Sequence, residues 1–243
     1  MDEVKLLIEG AVASELDALK KRLGPGLEVD LGGWTALICG GTALLNTGVG
    51  VANAAAATAL ACARLKPGAV ISQGTAGAHD AALHTGDVVI GARIVRLGAY
   101  RSPSAPRGVD ALSWQPLDME GSVGEAVEFA SDAALIDLAR QALARRGYNA
   151  PGRPRAVMGT VGSGDVWNCE VDMIAHLHSV LGTSCEEMET CAAAQVCARM
   201  GVPLLSMRVI SNNELLGESY EPATARALQE VIGDLSCMLA GVG

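Results

Sequence analysis

Short apolar runs alternate with stretches of helical periodicity along most of this chain. Residues 4–9 form a continuous β-type run ending at Gly10. Over 11–22, Ala11, Leu16 and Leu19 recur at helical spacing, with Leu23 just beyond, until Gly24-Pro25-Gly26 stops the pattern. Segments 34–39 and 43–46, joined through Gly40-Gly41, predict a hairpin. Thr47-Gly48-Val49-Gly50 then turns the chain into an Ala-rich helix over Val51–Leu65, closed by Lys66-Pro67-Gly68. Further strands are expected at 69–72, 87–97, 155–161 and 202–211, and helices at 133–146, 169–181, 187–200 and 223–240. Residues 100–131 hold Pro103, Pro106 and Pro116 and little periodicity, which predicts a long loop or lid. Neither a repeat nor a linker interrupts the alternation. It argues for one α/β domain over 1–243, with a largely parallel or mixed central sheet flanked by helices. Ligands in such folds bind beyond the carboxyl ends of strands, which singles out 10–15, 47–50, 73–77, 162–168 and 211–214.

Composition acts mainly by exclusion. Half of the 243 residues are apolar and 19% are charged, which supplies a sizeable core and excludes a disordered chain. Lys and Arg number 18 against 27 Asp and Glu, a formal net charge of −9. Nucleic acids and anionic membranes both need a cationic footprint, so neither is an expected partner. Aromatics at 3% argue against stacking platforms for single strands. The start, Met1-Asp2-Glu3-Val4-Lys5, lacks the basic and apolar regions of a secretory signal, and the Ala-rich stretch 49–63 is too short and too weakly apolar to span a bilayer. Seven cysteines, odd in number and without CxxC spacing, read as reduced core thiols of a cytoplasmic protein. His176 and His178 lie two apart on a predicted helix and point to different faces, so no metal site is expected there.

Several post-strand segments carry candidate chemistry. Gly48-Val49-Gly50 opens a helix, but Asn53 stands at the third glycine of a dinucleotide loop and no acid ends the next strand. A turn that lets backbone approach a ligand is the better reading. Gln73-Gly74-Thr75-Ala76-Gly77 offers small residues and one hydroxyl to a close ligand, and residues 161–167 repeat that logic and add Trp167. Glu15 sits one turn beyond the first strand; on spacing alone it is equally a surface or capping carboxylate. Most informative is Glu186-Glu187-Met188-Glu189 ahead of an Ala/Cys/Val-rich helix, followed by Arg208 inside the apolar run 204–210. Acids there complement a helix macrodipole. Yet Glu189 and Arg208 are lone charges among apolar neighbours, and a buried charge costs several kcal/mol without a partner. Two such charges in neighbouring elements point to a polar pocket.

The order Glu187-Met188-Glu189, a small-residue helix, Val202-Pro203 and Arg208-Val209-Ile210-Ser211 resembles the nucleoside phosphorylase/nucleosidase superfamily. The similarity extends to residues 10–15, 47–50, 74–77, 83–88 and 163–165, and is strongest to the 5′-methylthioadenosine/S-adenosylhomocysteine nucleosidases. That resemblance implies a three-layer α/β fold of the purine-nucleoside phosphorylase type, a homodimer, and a purine nucleoside substrate without metal or organic cofactor. It also implies roles. Glu15 activates the attacking water, with Thr75 and Arg208 helping to position it; Met188 packs beneath the ribose while Glu189 accepts from its 2′- and 3′-hydroxyls. Trp167 takes the place of the aromatic that stacks on the purine, and Asn168 that of its neighbour, whose backbone holds the base edge. Val12 and Val49 line the region of C1′ and the 5′ substituent, with Ala76, Gly77 and Ser211 completing the substrate contacts.

One position departs from the family. Where R-x-I-S-D carries an Asp that serves purine N7, this chain has Asn212. An amide delivers no proton, and general acid catalysis is worth about 10²–10⁴-fold. An amide does make two contacts, to an adenine in one orientation or to a 6-oxopurine in the other, as in 6-oxopurine phosphorylases and futalosine-type hydrolases. The leaving base is therefore open, and Asp165 or Glu214 are candidates to relay a proton through water. Superfamily phosphorylases also carry a G-D-P-x-R motif and an Arg before the glycine-hydroxyl turn. The first is absent and the second position is Ser72, so hydrolysis is favoured. A phosphorylase and a non-catalytic nucleoside-binding protein are the alternatives.

Overall fold

The computed structural model describes residues 3–104 and 111–241. In chain order the elements are β1 (Leu6–Gly10), α1 (Asp17–Leu23), β2 (Leu27–Asp30), β3 (Thr35–Cys39), β4 (Thr42–Asn46), α2 (Val51–Leu65), β5 (Ala69–Ala78) and β6 (Val88–Arg96). There follow β7 (Tyr100–Arg101), β8 (Gln115–Pro116), β9 (Glu128–Ala130), α3 (Ala133–Arg145), β10 (Ala156–Ser163) and α4 (Val171–Leu181). The chain ends with β11 (Cys185–Glu187), α5 (Thr190–Met200), β12 (Leu204–Asn212) and α6 (Thr224–Ala240).

One mixed sheet runs in the order β11-β10-β6-β12-β5-β1-β4-β3-β2, with β9 paired to β6. β11 also pairs antiparallel with β5, Glu186 opposite Gly77, so β5, β12, β6, β10 and β11 close into a ring. Helices cover both faces. Leu6 and Ile8 of β1 point into a core shared with α1, α3 and α6, while Leu7 between them packs with α2 and α5. A strand buried on both faces reads as a continuous apolar run rather than an alternating one. The Ala-rich character of α2 has a packing cause as well. Ala57, Ala61 and Cys62 meet Ala193, Ala194 and Cys197 of α5, and small side chains let the two helices approach closely.

Four expectations shift in detail. The helix expected at 11–22 is a 3₁₀ turn, Ala13–Glu15, followed by α1, because the Glu15 carboxylate folds back on the Ala11 N–H. The strand expected at 69–72 runs to Ala78, since the small residues 74–77 keep pairing with β12 as far as Gly77. The helix expected from 187 starts at Thr190, with Glu187 in β11 and its side chain accepting the Thr190 N–H. In the 100–131 segment, β7 and β8 form a ribbon and β9 joins the sheet; residues 105–110 lie outside the described residues.

Candidate active site

The ends of β1, β5, β11 and β12 and the turn after β10 surround a cavity of about 220 Å³. Its floor is built by close approach of backbone. A Cβ on Gly74 would lie 2.5 Å from Glu15 Oε1 and 2.6 Å from Arg208 Nη1, so only glycine lets the carboxylate and the guanidinium flank β5 at this point. Glu15 is 5% exposed. Its Oε2 accepts the Ala11 N–H (2.9 Å), and its Oε1 accepts the Thr75 N–H (2.8 Å) and hydroxyl (3.2 Å). The Gln73 amide donates to the Glu15 carbonyl at 2.7 Å and fixes the turn that carries it.

Across the cavity, Glu189 Oε1 accepts the Gly50 N–H at 2.8 Å. Gly50 holds φ +96°, a left-handed conformation open to glycine, and that turn is what aims its N–H inward. Glu189 is pushed up to about 7, first by burial and then by the neighbouring Glu187 charge, against the pull of Arg208 and the Gly50 N–H. Beneath both acids lies Arg208, 1% exposed, in a 2.6 Å ion pair with Glu187 Oε2. Its Nη2 also donates to Ser72 Oγ (2.8 Å) and Thr190 Oγ1 (2.6 Å). Burial works against the Arg208 charge, but Glu187, Glu189 and Glu15 together outweigh it and hold the guanidinium above its ordinary value.

The other end of the cavity is made of side chains. Trp167, 58% exposed, stands at the mouth edge-on to Tyr220, with ring centroids 5.2 Å apart. Asn212 accepts from Ser211 Oγ (2.9 Å) and donates through Nδ2 to Glu214 Oε1 (3.1 Å). Glu186 takes the Asn168 N–H on Oε1 (2.7 Å) and the Asn168 side-chain amide on Oε2 (2.6 Å). The N–H of the Asn168 backbone, which is expected to hold the base edge, is thus engaged with a carboxylate. Val12, Val49, Ala76, Gly77, Met188 and Ser211 complete the lining together with Thr75. Arg208 lies behind the wall instead of on it, and the two relay candidates, Asp165 and Glu214, are also outside the lining. Asp165 faces away, accepting the Val51 N–H at the start of α2 (2.8 Å). Among the described residues no group of His, Cys, Asp and Glu is arranged to hold a metal.

The sequence profile described as Phosphorylase superfamily matches residues 24–238. The chain belongs to the phosphorylase superfamily. Within that superfamily it is 30% identical over 215 residues to a 5′-methylthioadenosine/S-adenosylhomocysteine nucleosidase of Geobacillus thermodenitrificans strain NG80-2, covering 86% of this chain and 84% of that protein. The 5′-methylthioadenosine/S-adenosylhomocysteine nucleosidase of Neisseria meningitidis, solved with methylthio-immucillin-A, superposes with a TM-score of 0.76 at 25% identity, over 96% of this chain and 98% of that one. A futalosine hydrolase mutant of Helicobacter pylori strain 26695 shares the fold, with a TM-score of 0.75 at 18% identity over 96% and 99% of the two chains.

In this superfamily member three polar side chains of the cavity, Glu187, Glu186 and Tyr220, have no role assigned from the sequence. Glu187 is the buried counter-ion of Arg208; the lone charge of Arg208 implied a partner, but nothing in the run of acids 186–189 singled out Glu187 as that partner. Glu186 enters the wall because β11 pairs with β5, which a three-residue strand does not announce. Tyr220 arrives from the loop before α6, and nothing in its sequence neighbourhood marks it.

Proposed function

We propose that this protein hydrolyses the N-glycosidic bond of a purine nucleoside, releasing the free base and a ribose derivative. The observation that carries this reading is the single cavity shared by Glu15 and Glu189, the first held by donors that leave it aimed at the space between them. Glu15 takes a proton from a water lodged against Thr75 Oγ1, and the oxygen attacks C1′ as the base departs. Glu189 accepts from the ribose hydroxyls above Met188, and the surrounding carboxylates favour the positive charge that develops on the sugar. Trp167 covers the base. Asn212, bonded to Glu214, meets it with an amide, so the base departs as an anion stabilised by hydrogen bonding there and takes up through solvent a proton equivalent to the one Glu15 removes from water.

Water is the nucleophile on electrostatic grounds. Glu15, Glu186, Glu187 and Glu189 all line the cavity and would repel a phosphate dianion, and the nearest guanidinium is engaged by Glu187, Ser72 and Thr190. Methylthioadenosine, adenosylhomocysteine and inosine are the substrates to offer, since the relatives named above include nucleosidases for the first two. Free base and free ribose derivative are expected in phosphate-free buffer. A strict phosphate requirement with ribose 1-phosphate as product makes the protein a phosphorylase, and tight binding without base release makes it a nucleoside-binding protein.

We further infer one catalytic domain over 1–243 that works in the cytoplasm as a homodimer. Exposed Val166 at the cavity and exposed Val171 and Val180 on α4 favour a covered face, and the seven thiols form no disulfide. Sedimentation at twice the monomer mass is the expected result.

A further inference from the structure

Glu186 is an odd residue to find against a nucleobase. It is 6% exposed, it lines the cavity, and the β11–β5 pairing sets it opposite Gly77. Gly77 in turn abuts the Asn212 amide: a Cβ there would stand 3.5 Å from Nδ2. Glu186 and Asn212 therefore occupy the same stretch of wall, on either side of one glycine and close to Trp167. The carboxylate is held as an acceptor. Asn168 donates to both of its oxygens, and His79 Nε2 lies 3.2 Å from Oε2, itself tied through Nδ1 to Thr183 Oγ1 at 2.8 Å. The two Asn168 bonds fix its direction, and a carboxylate has lone pairs for about four donors.

We propose that Glu186 is a specificity-determining residue that selects 6-oxopurine bases by accepting their N1–H. The inference rests on the purine nucleosidase reading and narrows it to one class of base. The chemistry is a matter of which edge presents a donor. A 6-oxopurine offers a donor at N1 and an acceptor at O6, which pair with the Glu186 carboxylate and the Asn212 amide NH₂. Adenine offers the reverse, an acceptor at N1. It would meet a fixed carboxylate there, and the nearby Asn168 N–H is already taken by Glu186. Sites built to bond one pattern reject the other because a buried polar group is left unpaired. A guanine would add a second donor, its 2-amino group, to the same carboxylate.

The test measures selection with two readouts. Base release from inosine and from adenosine is followed in phosphate-free buffer, and binding of free hypoxanthine and free adenine is followed by tryptophan fluorescence, for wild type and Glu186→Gln. Wild type is expected to prefer inosine in kcat/KM, and hypoxanthine in Kd, by about tenfold or more. Glu186→Gln, whose amide donates to N1 of adenine, is expected to erase or invert both ratios. A residue that merely holds Asn168 and His79 in place would lower both substrates together and leave the ratio unmoved; that result overturns the proposal. So does wild type that treats adenosine or adenine as well as its 6-oxo counterpart. If Glu186→Gln fails to fold, the wild-type binding ratio decides alone. Preferred binding of hypoxanthine without any base release removes the hydrolase reading and leaves the base selection standing. Absence of both binding and release removes both.

Discussion

At the sugar end of the cavity, the end proposed to hold the sugar, the carboxylates of Glu15 and Glu189 are held by backbone N–H groups of Ala11, Thr75 and Gly50. At the base end, the one proposed to hold the base, Glu186 bonds the Asn168 side-chain amide as well as its N–H, and Asn212 bonds Glu214 through the side chains. The difference has consequences. Backbone donors are fixed by the fold and demand glycines and small residues at set places, as Gly74 shows by leaving no room for a Cβ. Side-chain donors change with one substitution and leave the backbone where it was. The sugar end is thus suited to chemistry that stays constant, and the base end to selection that varies.

The largest effect should come from the sugar end. Glu15→Gln keeps the size of the side chain, at the cost of setting its NH₂ against one backbone N–H, but removes the base, and should lower base release by about 10²–10⁴-fold while hypoxanthine still binds with near wild-type Kd. Turnover within a few-fold of wild type would move the chemistry elsewhere. Next, Glu187→Ala strips the buried Arg208 of its counter-ion and leaves an uncompensated charge in the floor. Denaturant unfolding should show a loss of about 3–5 kcal/mol. An unchanged midpoint would mean that Glu15 and Glu189 suffice to hold the guanidinium.

A third prediction uses the strand that delivers Glu15. Its Glu9 points toward α2, accepts from Thr58 Oγ1 at 3.1 Å and is pushed up to about 8 by burial, with the Thr58 bond and the Arg208 charge opposing. The folded protein keeps this proton where the unfolded chain has already released it. Stability therefore falls as pH rises from the ordinary glutamate range toward 8. Glu9→Gln has nothing to release there. It should melt several degrees above wild type at pH 8, about 2–4 °C for each kcal/mol recovered, with the gap closing toward pH 5. A gap that is constant with pH would mean that Glu9 does not titrate in this window. The smallest effect belongs to the base end. Asn212→Asp restores a group able to protonate a leaving adenine, and should raise adenosine relative to inosine by about tenfold in kcat/KM. A shift toward inosine would contradict the division drawn between the two ends.

The same contrast explains what was legible in the sequence. Apolar runs and helical spacing predicted the layers, because a strand buried on both faces leaves a continuous apolar run and a helix with an Ala-rich seam leaves a periodic trace. The sugar end was readable for a related reason: Gly48, Gly50, Gly74 and an isolated Glu189 are unusual enough in their surroundings to be noticed one at a time. The Glu186–Asn168 pairing joins residues 18 apart, through a strand of three residues, and no periodicity encodes it. The partner of Arg208 was hidden differently. Glu187 stands among other acids, where a macrodipole complement and a buried counter-ion look alike until β11 turns one of them inward. The edge strand β2 escaped notice because residues 27–30 lie largely exposed and carry no core-facing alternation.

The central claim is that water, activated by Glu15, is the nucleophile at C1′. Turnover of inosine in isotopically labelled water, without phosphate, tests it most directly. The account predicts one labelled oxygen at C1 of the ribose formed at early times, before ring-opening exchange, and the loss of that product with Glu15→Gln. Ribose 1-phosphate appearing only when phosphate is added, or label incorporated at an unchanged rate by the variant, would contradict it.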